Sequence, residues 1–427
     1  MNLQRRTTAR SVAAVAATLL YLVFGTPGAR ADVVMDWNAT AARLPIAAPP
    51  VLARVMATMH GAIHDAINSV EPRYETYRFK VQSPPNASKD AAAASAAHGV
   101  LTALVPGQRA VFDAALAASL AKIPEERAKA DGLEVGKSVA EQMLAWRAKD
   151  RFDAKAEDKP GATAGLWQRT PPGMLPGVLP HLGDVTPFVL KSAEQFSIKG
   201  RPALTSSEFI RDLKESKSLG GRHSTARTAE QTAAAIFWAD NEIPPLNAAA
   251  RAASTAKKLS PHENARLFAL MHMASADTTI VAFKIKYGSN AWRPITAIRA
   301  GYGPVAPDPT WESLLITPPH PEYPSGHCIV TGASMQVLRE FFGSDQVKLD
   351  YVYPPGLGIT RSYTSYTQIE KEMEDARVWA GIHFRSTDEH STELGRKVAS
   401  YAMANILRPL GAVSGAPAPA TQAASNP

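Results

Sequence analysis

The chain has 427 residues, of which 45% are hydrophobic, and it carries 46 basic against 39 acidic side chains. This length allows one large domain or two smaller ones with a sizeable core, and the apolar content is that of a globular protein, not a disordered one. The single cysteine, Cys328, excludes an intramolecular disulfide framework.

The first 31 residues have the pattern of a secretory signal peptide. Basic residues at 5, 6 and 10 precede an apolar run over 12–24, and Ala29-Arg30-Ala31 forms a cleavage signal. The paired arginines also fit twin-arginine export, so we predict a periplasmic or secreted protein, with an uncleaved anchor as the alternative. Without this segment, 42 basic side chains face 39 acidic ones, and this small excess does not indicate nucleic-acid binding.

Most of the remaining chain is predicted to be helical, and alternating strand patterns are nearly absent, so the predicted class is all-α. The apolar spacing predicts helices over 53–69, 89–104, 108–120, 125–148, 206–213, 228–238, 246–256, 261–283, 325–342, 364–381 and 387–407.

Two long segments, 159–204 and 301–324, are rich in proline and glycine and are predicted to be loops. The first separates an N-terminal helical region, 32–205, from a C-terminal catalytic bundle, 206–412. The tail, 413–427, is rich in Ala, Pro and Ser and is predicted to be disordered. No segment after the leader is long and apolar enough to cross a membrane.

Three clusters in the C-terminal half have the composition of an oxyanion site. A tetrahedral oxyanion carries two or three negative charges, which one lysine and two arginines would balance, and arginine forks bind such oxygens in pairs. The clusters contain Lys286 and Arg293 in "KYGSNAWRP", Ser325, Gly326 and His327 in "YPSGH", and Arg377 and His383 in "RVWAGIH".

The segment "PSGH" is predicted to form an anion cradle at the start of a helix. Ser325 fits the N-cap, so that Gly326 and the next residues would direct free backbone N–H groups at an anion. Gly326 also allows a close approach of the backbone.

Two histidines would complete the chemistry of this site. A break near Gly381 is needed for Arg377 and His383 to reach one pocket, because six residues correspond to about 240° around a helix. One of His327 and His383 would bond to the central atom of the oxyanion as nucleophile or ligand, and the other would transfer protons on the opposite side.

In this order and spacing, the three clusters resemble the signature of the superfamily that unites type 2 phosphatidic acid phosphatases (PAP2) and vanadium haloperoxidases. The motif region runs from Lys286 to Asp388, and the helical pattern extends the resemblance over most of the chain. Without membrane-spanning helices, the chain looks like the soluble haloperoxidase branch, which implies an all-α fold of helical bundles.

The resemblance also implies a role for each motif residue. His383 would be the apical ligand of vanadium in vanadate, or the nucleophile that forms phosphohistidine in a phosphatase, and His327 would be the acid–base group. The oxyanion oxygens would be bound by Lys286, Arg293, Ser325, Gly326 and Arg377.

Two further positions concern the residue that orients His383 and the choice of halide. The phosphatase pattern expects an acid four residues after the last histidine, where this chain has Thr387, so Asp388 or a backbone carbonyl would orient His383. His320 lies five residues before Ser325. At this position the sequence resembles the bromide-oxidising members of the family, which have a histidine there, whereas chloride-oxidising members have an aromatic residue. It favours bromide or iodide; the alternative is a loop histidine bonded to a carbonyl.

The favoured function is therefore an exported enzyme that oxidises bromide or iodide with hydrogen peroxide. A soluble acid phosphatase that acts on phosphate esters, and a non-enzymatic oxyanion-binding protein, are the alternatives. Small molecules are the expected partners, without nucleic acid or stable membrane insertion, and a homo-oligomer is left open.

Elsewhere, His60 and His64 lie four residues apart on one predicted helix and would hold a metal or form a buried hydrogen-bonded pair.

Overall fold

The fold is described by a computed structural model that covers residues 32–46, 48–354 and 356–411. The predicted signal peptide, 1–31, and tail, 413–427, lie outside these residues. Within them the chain forms thirteen α-helices and one two-stranded hairpin, which confirms the all-α class. The domain boundary between residues 205 and 206 stays a prediction.

The helices and strands, numbered in chain order, are α1 (Val33–Ala41), α2 (Pro49–Val70), α3 (Lys89–Leu104), α4 (Arg109–Leu120), α5 (Glu126–Arg147), α6 (Ser207–Leu219), α7 (Ala229–Phe237), α8 (Ile243–Lys257), α9 (Pro261–Ser289), α10 (Pro294–Ala300), α11 (Gly326–Phe342), β1 (Gln346–Val352), β2 (Thr360–Ser365), α12 (Tyr366–Trp379) and α13 (Arg385–Asn405). All eleven helices predicted from the sequence are present. The two that the sequence analysis does not predict are α1 and α10.

The β1–β2 hairpin is the main difference from the predicted elements. Val347 and Leu349 are buried while their neighbours are exposed, and the strands pair antiparallel with Leu349 opposite Tyr363. The Tyr363 hydroxyl donates to Glu372 of α12 at 2.6 Å. An isolated hairpin is marginal in water, so these contacts with the bundle stabilise a strand pattern too short to be predicted.

Helix α9 runs through the centre of the molecule, and α2, α11 and α13 pack against it. Its side chains are buried on all sides over 267–283, which is typical of a core helix. Ser260 and Glu263 form a capping box at its start, and its last turns carry Lys286 to the site. No described helix has the length and apolar character needed to cross a bilayer.

Helices α11 and α13 lie unusually close to each other. A Cβ added to Gly332 would lie 2.4 Å from the carbonyl oxygen of Thr392, and one added to Gly395 would lie 2.1 Å from that of Ile329. Only glycine fits this approach of two backbones. The contact fixes the start of α11 against the helix that follows His383.

The loop over 159–204 contains no α-helix and is anchored on α9 by one carboxylate. Asp277 accepts hydrogen bonds from the backbone N–H groups of Phe188, Val189 and Leu190 at 2.6, 2.8 and 2.8 Å. Burial raises the pKa of Asp277 to about 6, although these three bonds act in the opposite direction. The anchor holds the loop against the core beside the candidate site.

Candidate active site

The floor of the site is the N-terminus of α11. Ser325 stands at the N-cap position, as the sequence predicts, but its side chain does not cap the helix, and its buried Oγ has no hydrogen-bond partner among the described residues. A Cβ added to Gly326 would meet no atom within 4 Å. The first N–H groups of the helix and the space over Gly326 are therefore open to a ligand. The serine hydroxyl is buried next to them.

Lys286 is fully buried and holds the chain segment that leads to α11. Its Nζ donates to the carbonyl oxygens of Pro321 and Glu322, each at 3.0 Å, and also to that of Pro324. Burial lowers the pKa of the lysine, and the nearby Arg293 lowers it further. Lys286 also lines the cavity described below.

Arg293 joins the two halves of the site. Its Nη1 donates to the carbonyl oxygen of Ile382 at 2.8 Å and lies 3.2 Å from Nε2 of His383. Its Nε donates to the carbonyl oxygen of His320 at 3.0 Å, and its Nη2 lies 2.9 Å from Nδ1 of the same residue. One guanidinium therefore fixes the segment before α11 relative to that before α13.

Arg377 and His383 reach the same cavity because the chain breaks between α12 and α13, as predicted. Helix α12 ends at Trp379, and Gly381 has a φ of +74°. Nη1 of Arg377 donates to the carbonyl oxygen of Trp238 at 2.6 Å, while its buried Nε has no partner in the described part of the chain. This arginine keeps a donor for a ligand.

The protonation of His383 follows from its two neighbours. Nδ1 lies 2.8 Å from Oε1 of Glu322, and Nε2 lies 3.2 Å from Nη1 of Arg293. A guanidinium only donates and a carboxylate accepts, so we assign the proton to Nδ1 and the lone pair to Nε2. Burial, with Arg293 and Lys286, lowers the pKa of His383 well below its ordinary value, which favours the neutral ring.

Glu322, and not Asp388 or a backbone carbonyl as expected from the sequence, orients His383. The carboxylate also accepts from the backbone N–H of Phe384 at 3.1 Å and from Oγ1 of Thr387 at 2.9 Å. Asp388 instead accepts from the thiol of the only cysteine at 3.2 Å. The reason is geometric: the first turn of α13 wraps around Glu322, and one residue further on, about 100° around the helix, Asp388 faces α11.

His327 contacts the turn between α7 and α8. Its Nε2 lies 2.8 Å from the carbonyl oxygen of Asp240 and 3.4 Å from Oε2 of Glu242. Because a carbonyl only accepts, Nε2 carries the proton and Nδ1 keeps a lone pair. Burial and Arg377 lower the pKa of His327, and burial raises the pKa of Glu242 to about 7. The shift favours the neutral ring of His327, so Glu242 is the member of the pair that can hold a proton near neutral pH.

His320 does more than a loop histidine that bonds to a carbonyl. Its Nδ1 lies 3.0 Å from the carbonyl oxygen of Pro321, but the permanent donor at 2.9 Å is the Arg293 guanidinium, so we assign Nδ1 as acceptor. Nε2 then carries the proton, and no described residue accepts it. Burial lowers the pKa of the ring, and the adjacent cations Lys286 and Arg293 add to this effect.

These groups meet at one cavity of about 580 Å³. Arg293 and Ser325 do not line it but adjoin it, through the hydrogen bonds of Arg293 and through the chain next to Gly326. The structure thus brings every predicted site residue to one place. The residues from the sequence motifs that line the cavity are Lys286, His320, Gly326, His327, Arg377 and His383.

The sequence analysis does not identify two carboxylates of the site, Glu322 and Glu242. Glu322 is the only acid within "TPPHPEYPSGHCIVTG", and a lone acid among cations is a signal that could have identified it. Glu242 lies in a turn far from the motifs along the chain and offers no such signal. Both are buried, and only the tertiary structure brings them to the histidines.

His60 and His64 take no part in this site. His60 bonds to Asn38, with 3.0 Å between Nε2 and Nδ2, and stacks on His272 with ring centroids 4.9 Å apart. Nδ1 of His64 lies 3.2 Å from Oδ1 of Asp65. Both histidines are buried in hydrogen-bonded contacts of the core.

Residues 266–411 match the family described as the VCPO second helical-bundle domain. The vanadium chloroperoxidase of Curvularia inaequalis is 28% identical over an alignment of 380 positions that covers 70% of this chain. The match spans 62% of that relative's length.

Solved structures extend the likeness to nearly the whole chain. A bacterial vanadium-dependent iodoperoxidase is 25% identical, with a TM-score of 0.75 over 88% of this chain and 95% of its own. The apo form of a bacterial vanadium-dependent chloroperoxidase gives 18% identity and a TM-score of 0.69, over 84% of this chain and 93% of its own. The holo form gives the same identity and TM-score over 88% and 97%. The two chloroperoxidase structures share the fold.

Proposed function

We propose that the chain belongs to the vanadium haloperoxidase superfamily and is a vanadate-dependent haloperoxidase that oxidises iodide or bromide with hydrogen peroxide. The observation that carries the proposal is the arrangement of three buried cations, Lys286, Arg293 and Arg377, around the unprotonated Nε2 of His383.

The donor set fits a compact oxyanion such as vanadate. Oγ of Ser325 and Nε of Arg377 are buried without partners among the described residues, and the space over Gly326 is open at the positive end of the α11 dipole. Vanadate held there would supply a Lewis-acid centre that activates hydrogen peroxide toward a halide.

The protein's own groups have distinct tasks in this proposal. Arg293 and Arg377 would bind oxygens of the oxyanion, together with Ser325 and the N–H of Gly326. Lys286, whose Nζ already donates to three carbonyl oxygens, would help to balance its charge. His383 would ligate through Nε2, and Glu322 holds the ring in the tautomer that leaves this nitrogen unprotonated.

His327 is placed to handle protons. Its Nδ1 is unprotonated in the neutral ring, and the ring lines the cavity. It can accept a proton from hydrogen peroxide and later return it to a departing oxygen. Glu242, with its pKa raised to about 7, lies beside the other ring nitrogen and stabilises the protonated ring when it is ionised.

Two observations support iodide or bromide as the halide. The N–H at Nε2 of His320 is a neutral donor beside the ring of Phe283, whose centroid lies 5.6 Å from that of the histidine. A weakly hydrated halide suits a site with one donor and an apolar wall. The bacterial iodoperoxidase also matches this chain over nearly the full length of both.

We also propose that the enzyme is exported to the periplasm or beyond, on the leader pattern of residues 1–31. The catalytic part would be the bundle over 206–412, which contains all the motif residues.

A paired assay of the purified protein tests the proposed function. We expect peroxide- and iodide- or bromide-dependent halogenation of a dye, which rises when vanadate is added and is lost in His383→Ala together with vanadate affinity. His327→Ala should keep vanadate affinity and lose about 10²- to 10⁴-fold in turnover. His223→Ala, an exposed histidine, is the control. Hydrolysis of an aryl phosphate without vanadate, with no halogenation, would show the phosphatase alternative to be correct.

A further inference from the structure

The turn between α7 and α8 decides which ring nitrogen of His327 carries the proton. The backbone carbonyl oxygen of Asp240 lies 2.8 Å from Nε2 of this histidine, and Oε2 of Glu242 lies 3.4 Å from the same atom. A carbonyl only accepts hydrogen bonds, whereas a carboxyl group that holds a proton can donate one. The position of the Asp240 carbonyl therefore determines whether Nε2 carries the proton and Nδ1 keeps its lone pair.

The β1–β2 hairpin holds this turn from the other side. The hydroxyl of Tyr353, the residue that follows β1, donates to the carbonyl oxygen of Asn241 at 3.0 Å and lies 3.3 Å from Oδ2 of Asp240. One acceptor is the next carbonyl along the chain, and the other belongs to the side chain of Asp240 itself. A single hydroxyl therefore restrains the backbone at the carbonyl group that bonds to His327.

Tyr353 is itself fixed in place and remains a donor. Its backbone N–H donates to the carbonyl oxygen of Ile359 at 2.9 Å, and its buried ring packs against Phe237 with the centroids 5.9 Å apart. Burial raises the pKa of the phenol, and the nearby carboxylate of Asp240 raises it further, so the hydroxyl keeps its proton. A buried tyrosine hydroxyl needs a hydrogen-bond partner, and the turn supplies it.

Asp240 depends on Tyr353 more than the rest of the turn does. Asn241 is also held by its own side chain, whose Oδ1 accepts from the backbone N–H of Ile243 at 3.0 Å. Asp240 is exposed, and within the described residues only Tyr353 and His327 form hydrogen bonds with its oxygen atoms. Loss of the Tyr353 hydroxyl would therefore release the Asp240 carbonyl while the turn stays anchored.

We propose that Tyr353 is a positioning residue for His327. Through the turn it holds the Asp240 carbonyl against Nε2, and this contact keeps Nδ1 unprotonated for the proton transfer of the proposed function. Without the hydroxyl, the carbonyl would move away from the ring. A protonated carboxyl group of Glu242 could then donate to Nε2, and the ring would carry its own proton on Nδ1. The effect on turnover rests on the proposed function, whereas the effect on the tautomer does not.

The ring nitrogens of His327 test the inference without any turnover. In nitrogen-15 NMR spectra of the full chain with labelled histidine and no vanadate, the His327 signals are assigned by their absence in His327→Gln. We expect the parent ring to carry its proton on Nε2. Tyr353→Phe keeps the contact with Phe237 and loses only the hydroxyl. It should raise the ratio of Nδ1- to Nε2-protonated rings about fivefold or more, the factor that corresponds to one net hydrogen bond.

Tyr363→Phe is the matched control, because it also removes a buried hydroxyl of the hairpin. That hydroxyl bonds to Glu372 of α12 at 2.6 Å and not to the turn, so the tautomer of His327 should equal that of the parent. With peroxide and iodide, Tyr353→Phe should lose about 3- to 30-fold in kcat with unchanged vanadate affinity. This loss is a part of the factor of about 10²–10⁴ that a positioned acid–base group contributes.

The possible outcomes separate this inference from the proposed function. A parent ring protonated on Nδ1, an unchanged tautomer in Tyr353→Phe, or the same change in Tyr363→Phe overturns the inference, because the hydroxyl would then only stabilise the hairpin. An unchanged kcat in a halogenating Tyr353→Phe also overturns it. A parent that does not halogenate at all overturns the proposed function, while the NMR result still decides whether Tyr353 sets the tautomer.

Discussion

At the scale of single residues, Glu322 orients His383, whereas the motif pattern expects an acid four residues after this histidine. Thr387 stands where the phosphatase pattern has an acid, and it donates to Glu322 at 2.9 Å. Glu322 in turn accepts a hydrogen bond from Nδ1 of His383. The same interaction is thus made by an acid that comes before α11, so Glu322 positions the ring of His383, whose Nε2 is the proposed ligand atom.

Replacement of Glu322 should separate positioning from simple loss of stability. In Glu322→Ala we expect vanadate affinity and turnover to fall about 10- to 100-fold, the usual effect of removing the partner of a ligating histidine. Glu322→Gln keeps an oxygen that accepts from Nδ1 and should recover part of both.

Glu312→Gln is the control for this pair of variants, because Glu312 is half exposed and paired with Arg222 on the surface. Vanadate titration and steady-state kinetics are the measurements. Equal affinity in the parent and in Glu322→Ala would contradict the assigned role.

At the scale of elements, the break between α12 and α13 decides whether Arg377 and His383 share a cavity. Gly381 has a φ of +74°, and a Cβ there would lie 2.2 Å from the carbonyl oxygen of Gly220. Position 381 therefore requires glycine for two reasons: its backbone conformation and the close approach of another backbone segment.

Gly381→Ala and Gly343→Ala distinguish these two requirements. Gly343, which ends α11, has a φ of +61° but no atom within 4 Å of an added Cβ, so its replacement should reduce the free energy of unfolding by about 1–2 kcal/mol. Gly381→Ala adds a clash and should cost more, by about 1–3 kcal/mol, and should also weaken vanadate binding. Urea unfolding measures both variants, and equal losses would show that the contact with Gly220 is unimportant.

At the scale of the whole molecule, a buried polar cluster links four helices of the core. Asn38 of α1 bonds to His60 of α2 and to Asn247 of α8, while Arg251 of α8 donates to Asn38 at 2.6 Å. His272 of α9 lies 2.8 Å from Asn247. Burial lowers the pKa of His60, and it lowers that of His272 to about 3, with Arg251 adding to both shifts.

This cluster predicts a loss of stability in acid. The folded pKa of each histidine lies below its unfolded value of about 6.5, so the unfolded chain binds more protons as the pH falls. The free energy of unfolding should therefore drop from pH 6.5 toward pH 3, by up to about 1.4 kcal/mol per pH unit for each histidine. His60→Phe should reduce this slope, because phenylalanine can keep the stack on His272 and has no proton to bind.

Urea unfolding of the parent and of His60→Phe at pH 7.5, 6.5 and 5.5, with the exposed His223→Asn as control, measures that slope. Identical slopes in the parent and in His60→Phe would show that the cluster does not resist protonation.

The sequence by itself determined the helices and the chemical character of the site. Helical periodicity is a local property of the chain, which is why all eleven predicted helices are present. The spacing from Lys286 to His383 predicted a set of residues that the fold places in or beside one cavity. Only the tertiary structure decided which acid serves which histidine, since Glu322 and His383 lie 61 residues apart and no local pattern relates them. It also decided the β1–β2 hairpin and the contact of Tyr353 with the turn beside His327, because packing against the bundle fixes both.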